Sequence, residues 1–336
     1  MYYNKKNVLV RSPLRISFLG GGTDLESYYK HHPGHVVNAT IDSYVYINLK
    51  DMFDSNIRIH HSKIETESIS SRITHEYMKQ ALEYFGLFKG VEVIMTSDIM
   101  TTGSGLGASS AAMGALVLAA ASLRGQKIDN DKYSFAELIY NLEHKAGTVG
   151  GKQDQYASVF GGINSIEFSE KNIKVNNIKL TEDEINEFSD HLLLVFTNLA
   201  RNSQPIQENL KNNIKKKNKH QHLEKLYEIS LEFKKEIKSG ELNYHQLGKM
   251  LHENWELKKE INPYSTNRYI DELYDYVRNN GVIGGKITGA GGGGFLLAIT
   301  KDRDSKQKLM NDLYPNYICL DVKIVKKGTE LLWKNF

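Results

Sequence analysis

An α+β protein of two halves is the fold class this sequence predicts, on three observations. Segments at His35–Ala39, Tyr44–Leu49 and Ile57–His61 alternate well enough to pair as one antiparallel sheet. The second half opens on the apolar strand His191–Thr197, then turns to helical spacing over about Gln204–Lys217, Gln221–Lys238, Tyr244–Ile261 and Ser265–Asn280. At 336 residues the chain has ample length for two packed domains or one large one. The polar connection Asn172–Asp190, with a short strand and a small helix, holds the boundary, giving halves of residues 1–180 and 181–336.

Taken in order, Asn7–Arg11 and Arg15–Leu19 read as two strands separated by Ser12-Pro13-Leu14. Arg15 is out of place inside RISFL unless it is paired or faces a site. The strand ends in Gly20-Gly21-Gly22-Thr23-Asp24, where a carboxylate after a tight turn suits the hydroxyls of a small polar ligand. Asp24 suits equally the N-cap of a helix over Leu25–His31. His31/His32 and His60/His61 do not suggest a metal, because neighbours on a strand point to opposite faces. A helix over Ile73–Phe85 and a strand over Val91–Thr96 follow.

Thr101–Ala112, TTGSGLGASSAA, runs three glycines straight into an alanine-rich helix that reaches about Arg124. Its unpaired N–H groups and positive dipole end fall at Ala108–Ala111, a site suited to phosphate oxygens. Ser109 and Ser110 offer hydroxyls to a phosphate or its metal ion. The spacing also fits a dinucleotide fingerprint, but there the strand should run directly into the first glycine, and here SDIMTT intervenes. Ala111–Leu123 is apolar yet shorter than the roughly 20 residues a bilayer requires, so it reads as a buried helix.

The next helix, Lys132–Lys145, carries Glu143 near its C-terminus, where the dipole disfavours a carboxylate and a bound cation would compensate. Gly147–Gln155 is a second glycine-rich turn, bringing Asp154 to a helix start as N-cap or functional group. A strand over Ile163–Phe168 follows. Near the end, Gly284–Gly294 lets a main chain approach a ligand or another backbone closely. Strand Phe295–Thr300, helix Arg303–Tyr314 and strand Leu320–Val325 complete the pattern.

Charge is nearly balanced, 43 basic against 40 acidic residues, which gives no reason to expect nucleic acid or a membrane as partner. The basic run Lys211–Lys219 lacks interleaved aromatics and reads as a solvated helix end. The lone cysteine, Cys319, excludes an internal disulfide framework and suits a reducing cytoplasm; the N-terminus shows no secretory signal.

Four segments in this order, Arg15–Asp24, Gly103–Ala112, Gly147–Gln155 and Lys286–Gly294, together resemble the GHMP kinases, the superfamily named for galactokinase, homoserine kinase, mevalonate kinase and phosphomevalonate kinase. RISFLGGGTDL is most similar to its fucokinase and D-glycero-D-manno-heptose 7-phosphate kinase branch, and the heptose kinase agrees better in length. The resemblance implies an N-terminal domain of the ribosomal-protein-S5 type, a C-terminal ferredoxin-like domain and a site between them. It implies ATP and Mg²⁺, with ATP phosphates on Gly103, Ser104, Gly105, Leu106, Gly107, Ala108, Ser109 and Ser110, and the ion on Ser109 and Glu143.

By the same resemblance Asp154 is the catalytic aspartate, Arg15 its paired cation, and Gly22, Thr23, Asp24 and Gly291 belong to the substrate site. Lys152 and Arg201 are placed by position to meet a phosphate on the sugar. Two departures stand out: Met100-Thr101-Thr102 replaces a common proline, and Ala108 stands where serine is frequent, leaving Ser109 and Ser110 both open as metal ligand. Gly21-Gly22 replaces the Glu-His of galactokinases, which makes galactose a poor candidate. The implied reaction is phosphorylation of the anomeric hydroxyl of the heptose 7-phosphate, toward nucleotide-activated heptose for surface polysaccharide. A kinase for another sugar and a non-catalytic sensor are the alternatives; keeping Arg15, Glu143 and Asp154 together argues against the sensor.

Overall fold

The structure is a computed structural model describing residues 6–99, 103–199, 204–214, 217–238 and 242–335. Its first part builds β1 (Asn7–Leu19), α1 (Glu26–Tyr29), β2 (Gly34–Asp51), β3 (Ile57–His60), β4 (Ile64–Glu67), α2 (Glu76–Tyr84), β5 (Val91–Ser97), α3 (Ala108–Leu123), α4 (Lys132–Lys145), α5 (Gln153–Phe160), β6 (Ile163–Phe168) and β7 (Ile173–Ile178). The rest builds α6 (Glu182–Asp190), β8 (Leu192–Phe196), α7 (Gln204–Ile214), α8 (Lys217–Lys238), α9 (Tyr244–Ile261), α10 (Arg268–Asn279), β9 (Val282–Ile287), β10 (Phe295–Thr300), α11 (Arg303–Leu313), β11 (Cys319–Asp321) and β12 (Glu330–Asn335).

One sheet runs β12-β1-β2-β5-β3-β4, with β6 on β2 and β7 on β6; the second runs β11-β8-β10-β9. Two breaks expected from the sequence are bridged. β1 passes through Ser12-Pro13-Leu14 because its register against β2 shifts between Pro13 and Arg15, absorbing the missing proline N–H as an irregularity. β2 continues through residues 40–43 because its ends serve different partners, Val45–Asp51 pairing β5 and Gly34–Ala39 pairing β6.

The last strand corrects the expected ending. The strand observed is Cys319–Asp321, so only Leu320 and Asp321 of the expected Leu320–Val325 belong to it, and β12 returns to pair with β1 from Asn7↔Asn335 to Arg11↔Glu330. Leu332 and Trp333 on this edge are exposed, so no apolar alternation announces it. A cut at 180/181 therefore does not separate the two sheets cleanly.

α3 is buried nearly all round, with β1 and β2 against it together with α2, α4 and α5. That explains an apolar run with no polar face. α8 and α9 lie against β1, where Phe18 stacks on Phe188 at 5.4 Å and meets Phe233 at 5.3 Å. A single apolar cluster thus joins residues of both sheets, including Ile16, Ala39, Leu194 and Leu297.

His35 ties β2 to this layer: Nδ1 lies 2.7 Å from Ser230 Oγ on α8 and Nε2 lies 2.8 Å from Ser165 Oγ on β6. Burial, with nearby Lys234, pushes the imidazole down to about 4. A depressed histidine costs stability as pH falls below its unfolded value and stops doing so near its folded one. Unfolding measured at pH 7 and pH 5 is expected to show wild type losing on the order of 2 kcal/mol more than His35→Gln over that interval. Equal losses would refute the assignment.

Candidate active site

The N-terminus of α3 is capped by Gly107 in the left-handed region at φ 71°, with no side chain accepting from the first turn. The first intrahelical acceptor there is Gly107 O, bonded by Ala111 N, so among the described residues the amides of residues 108–110 have no acceptor and can receive a ligand. The loop ahead of it is held through its own main chain. Thr288 Oγ1 and Phe295 N both donate to Ser104 O, each at 3.2 Å. A methyl on Gly294 would lie 2.5 Å from that same oxygen. Of the two readings of Gly284–Gly294, this contact is with another backbone.

Arg15 lies beneath the loop. Its backbone N–H donates to Leu106 O at 2.9 Å and its Nη1 to Gly105 O at 2.7 Å. Nε and Nη2 then reach Asp154 Oδ1 and Oδ2 at 2.8 and 2.6 Å, a bidentate pair. Arg15 is only 4% exposed while the Asp154 side chain is 27% exposed. The cation is sunk into the wall and its carboxylate faces the cleft. Asp154 lies in the first turn of α5, whose N-cap is Lys152 without a side-chain bond, so the N-cap reading fails.

Glu143 is buried on α4, accepting from Ser110 Oγ at 3.0 and 2.9 Å and from Gln155 Nε2. Burial pushes it up to about 7, against the hydrogen bonds of Gln155, Ser110 and Ser109 and with help from the Asp154 charge. Among the described residues it has no cationic partner, and no cluster of three or more His, Cys, Asp or Glu gathers. One carboxylate and a serine hydroxyl fit Mg²⁺, which keeps several waters and takes few protein oxygens.

Asp24 is not the N-cap of α1, which starts after Leu25. It accepts from Gly22 N at 2.9 Å and from Gln153 N at 3.2 Å, joining two turns far apart in sequence, and burial pushes its carboxyl up. The cleft is lined by Arg15, Ser17, Asp24, Ser109, Glu143, Asp154 and, from the second part, Lys258 and Lys286 among others. A second cavity, apolar and lined by Met78, Met95, Ala108, Ala112, Met113 and Leu116, shares Tyr77 and Ser109 with it.

Residues 72–162 match the GHMP kinases N terminal domain and residues 233–317 the GHMP kinases C terminal domain. The chain belongs to the GHMP kinases. It is 29% identical over 313 residues to D-glycero-alpha-D-manno-heptose 7-phosphate kinase of Campylobacter jejuni, covering 87% of this chain and 89% of that protein. An L-fucokinase/L-fucose-1-P guanylyltransferase of Bacteroides fragilis is 26% identical across 94% of this chain but only 37% of its own length. The solved structure of a D-glycero-D-manno-heptose 1-phosphate kinase from Bacteroides thetaiotaomicron agrees in fold, with TM-score 0.79 and 22% identity over 99% of both chains.

In this GHMP kinase the structure gathers Arg15, Gly22, Asp24, Ser109, Ser110, Glu143 and Asp154 around one cleft. Other expected residues stand elsewhere. Ser104 and Leu106 are buried side chains behind the loop, and Thr23 is enclosed, donating to Gly20 O and accepting from His35 N. Gly103, Gly105 and Gly107 shape the loop without lining the cavity, and Ala108 faces the apolar one. Gly291 abuts Ser265, and its neighbours Gly289 and Ala290 line the cleft instead.

Lys152 is turned toward Glu137, at 2.8 and 2.7 Å, with its ammonium 4.6 Å from the Tyr140 ring centre. It lines a separate surface groove, so its placement does not support contact with the sugar's phosphate. Arg201 lies outside the described residues. Ser17, Gln153, Lys258 and Lys286 were missed as site residues; Lys286 alone had a signal, a charge inside an otherwise apolar and glycine stretch.

Gly294 and Gly125 have φ of 84° and 72°, so alanine at either carries the left-handed penalty of about 1–2 kcal/mol. Nothing lies within 4 Å of a methyl on Gly125, whereas one on Gly294 meets Ser104 and Gly103. Denaturant unfolding is expected to show Gly294→Ala destabilising at least about twice as much as Gly125→Ala. Similar losses would mean that the contact between the turns yields freely.

Proposed function

We propose that this GHMP kinase transfers the terminal phosphoryl group of ATP to the anomeric hydroxyl of D-glycero-D-manno-heptose 7-phosphate, giving the 1,7-bisphosphate. The observation that carries the reading is the half-sunken Arg15–Asp154 pair beside the start of α3, which no side chain caps, with Glu143 adjoining. Similarity to the Campylobacter jejuni heptose 7-phosphate kinase over most of both chains supports the acceptor. The bond from the terminal phosphorus to its bridging oxygen breaks, a bond to the anomeric oxygen forms, and the hydroxyl proton passes to Asp154.

Phosphoryl transfer of this kind is mostly positioning and charge neutralisation. Arg15 occupies one lone pair on each Asp154 oxygen, leaving others to accept a hydroxyl from the cleft. The same guanidinium places positive charge beside the transferring group, and the free amides of α3 receive phosphate oxygens. Asp24, fixed by two main-chain amides, orients the sugar hydroxyls. The apolar cavity beyond Tyr77 and Ser109 suits the base of the nucleotide.

Ser109, which faces both cavities, would hold Mg²⁺ with Glu143, while Ser110 orients the carboxylate. When bound, the ion supplies charge neutralisation on the phosphates. Glu143→Gln is expected to raise the Mg²⁺ concentration needed for half-maximal turnover by about tenfold or more. An unchanged Mg²⁺ requirement would remove Glu143 from the role.

Asp154→Asn should lower kcat by about 10²-fold or more while nucleotide binding stays near wild type. Near-normal kcat would reject the aspartate as proton acceptor. A panel of acceptors with ATP, read by ADP release, tests the substrate: heptose 7-phosphate should give the highest kcat/KM. Preference for unphosphorylated fucose would move the protein to the fucokinase reading, which the Bacteroides fragilis relative supports. Nucleotide binding without acceptor-dependent ADP release across the panel would favour the sensor.

A further inference from the structure

Beside Asp24 lies a group of polar atoms that the catalytic scheme does not use. Ser17 Oγ and Gln153 Oε1 are buried and have no hydrogen-bond partner among the described residues. Both side chains line the cleft. They converge over one bare patch of main chain: a methyl built on Gly21 would lie 3.4 Å from Gln153 Nε2 and 3.7 Å from Ser17 Oγ. Lys286, only 2% exposed, enters from β9 and donates to Phe18 O at 2.9 Å, with Asp24 and Arg15 close enough to act on its charge.

Folded proteins leave few buried polar atoms unpaired, so orphans on cleft-lining residues, Ser17 Oγ and Gln153 Oε1 near Asp24 and Gln155 Oε1 beside Glu143, mark a place that a ligand completes. We infer that Ser17, Gln153 and Lys286 form, with Asp24, a recognition floor for adjacent hydroxyl groups on the sugar acceptor. This deepens the kinase reading and rests on it.

The chemistry favours hydroxyls over an anion. Lys286 and the Gln153 amide nitrogen donate, Asp24 and the Gln153 amide oxygen accept, and Ser17 does either. A vicinal diol offers one donor and one acceptor at each oxygen, which matches that alternation. The cleft lining carries three cations, Arg15, Lys258 and Lys286, against three carboxylates, Asp24, Glu143 and Asp154, so positive charge is already balanced here. A phosphate dianion would find no surplus. The floor therefore takes the hydroxylated ring of the acceptor and directs its phosphate elsewhere.

The test is steady-state kinetics of Ser17→Ala and Lys286→Met with the best sugar acceptor, alongside the same sugar lacking single hydroxyls. Ser17→Ala removes a hydroxyl that has no partner, so its thermal midpoint should equal or exceed wild type. Its acceptor KM should rise about tenfold, the worth of one hydrogen bond near 1.4 kcal/mol, with KM for ATP and kcat little changed. One deoxy sugar should be discriminated by wild type and not by the variant. An unchanged acceptor KM, or a lowered midpoint with both KM values raised, overturns the floor.

Should Lys286→Met fail to fold, Ser17→Ala decides alone. If wild type phosphorylates no sugar, the kinase reading fails separately. Calorimetric binding of the same sugars then judges the floor: binding weakened by Ser17→Ala sustains it, and absent or equal binding overturns it.

Discussion

Everything in the cleft depends on the close approach of two glycine-rich turns, one backbone oxygen taking both a main-chain and a hydroxyl donor. Ser104 O receives Thr288 Oγ1 and Phe295 N, and Gly294 and Gly105 lack side chains where the two backbones meet. Hydrogen bonds between backbones are short and directional, and glycine removes the atoms that would hold the chains apart. The loop ahead of α3 is thereby attached to the second sheet as well as to the first. The proposed phosphate-binding and acceptor-binding residues then share one frame, although they come from segments spread between Arg15 and Lys286.

Charge is arranged on that frame by depth. Arg15 and Lys286 are almost wholly buried, and each is turned toward main-chain carbonyls, Gly105 O and Phe18 O. Asp24 and Glu143 are equally buried, held by amides and hydroxyls in place of cations. Asp154 alone among these carboxylates is partly open to the cleft. Buried ions without solvent cost folding free energy unless they are bonded. Their gathering at one cleft marks it as the place where the fold gives up stability for chemistry.

Much of this was legible in the sequence, for local reasons. Three glycines running into an alanine-rich helix require a turn with free amides, whatever surrounds it. Arg15 inside an apolar strand and Glu143 near a helix C-terminus each break a local rule, and both proved to belong to the cleft. Lys152 breaks no rule, and although it sits near Asp154 in the sequence its side chain runs to Glu137. Adjacency along a chain says little about direction, because successive residues at a helix start point to different sides.

What the sequence by itself determined were the features carried by short-range chemistry: the helix periods, the turn positions, and the four motif segments with their odd charges. Tertiary structure alone decided which of two uses a residue serves. Asp24 could cap a helix or hold a ligand, and only the approach of Gln153 and Gly151 placed it at the junction of two turns. β12 carries no pattern of its own and is a strand only because β1 offers an open edge. Long-range pairing has no periodicity to read: the partner that completes such a residue lies more than a hundred positions away.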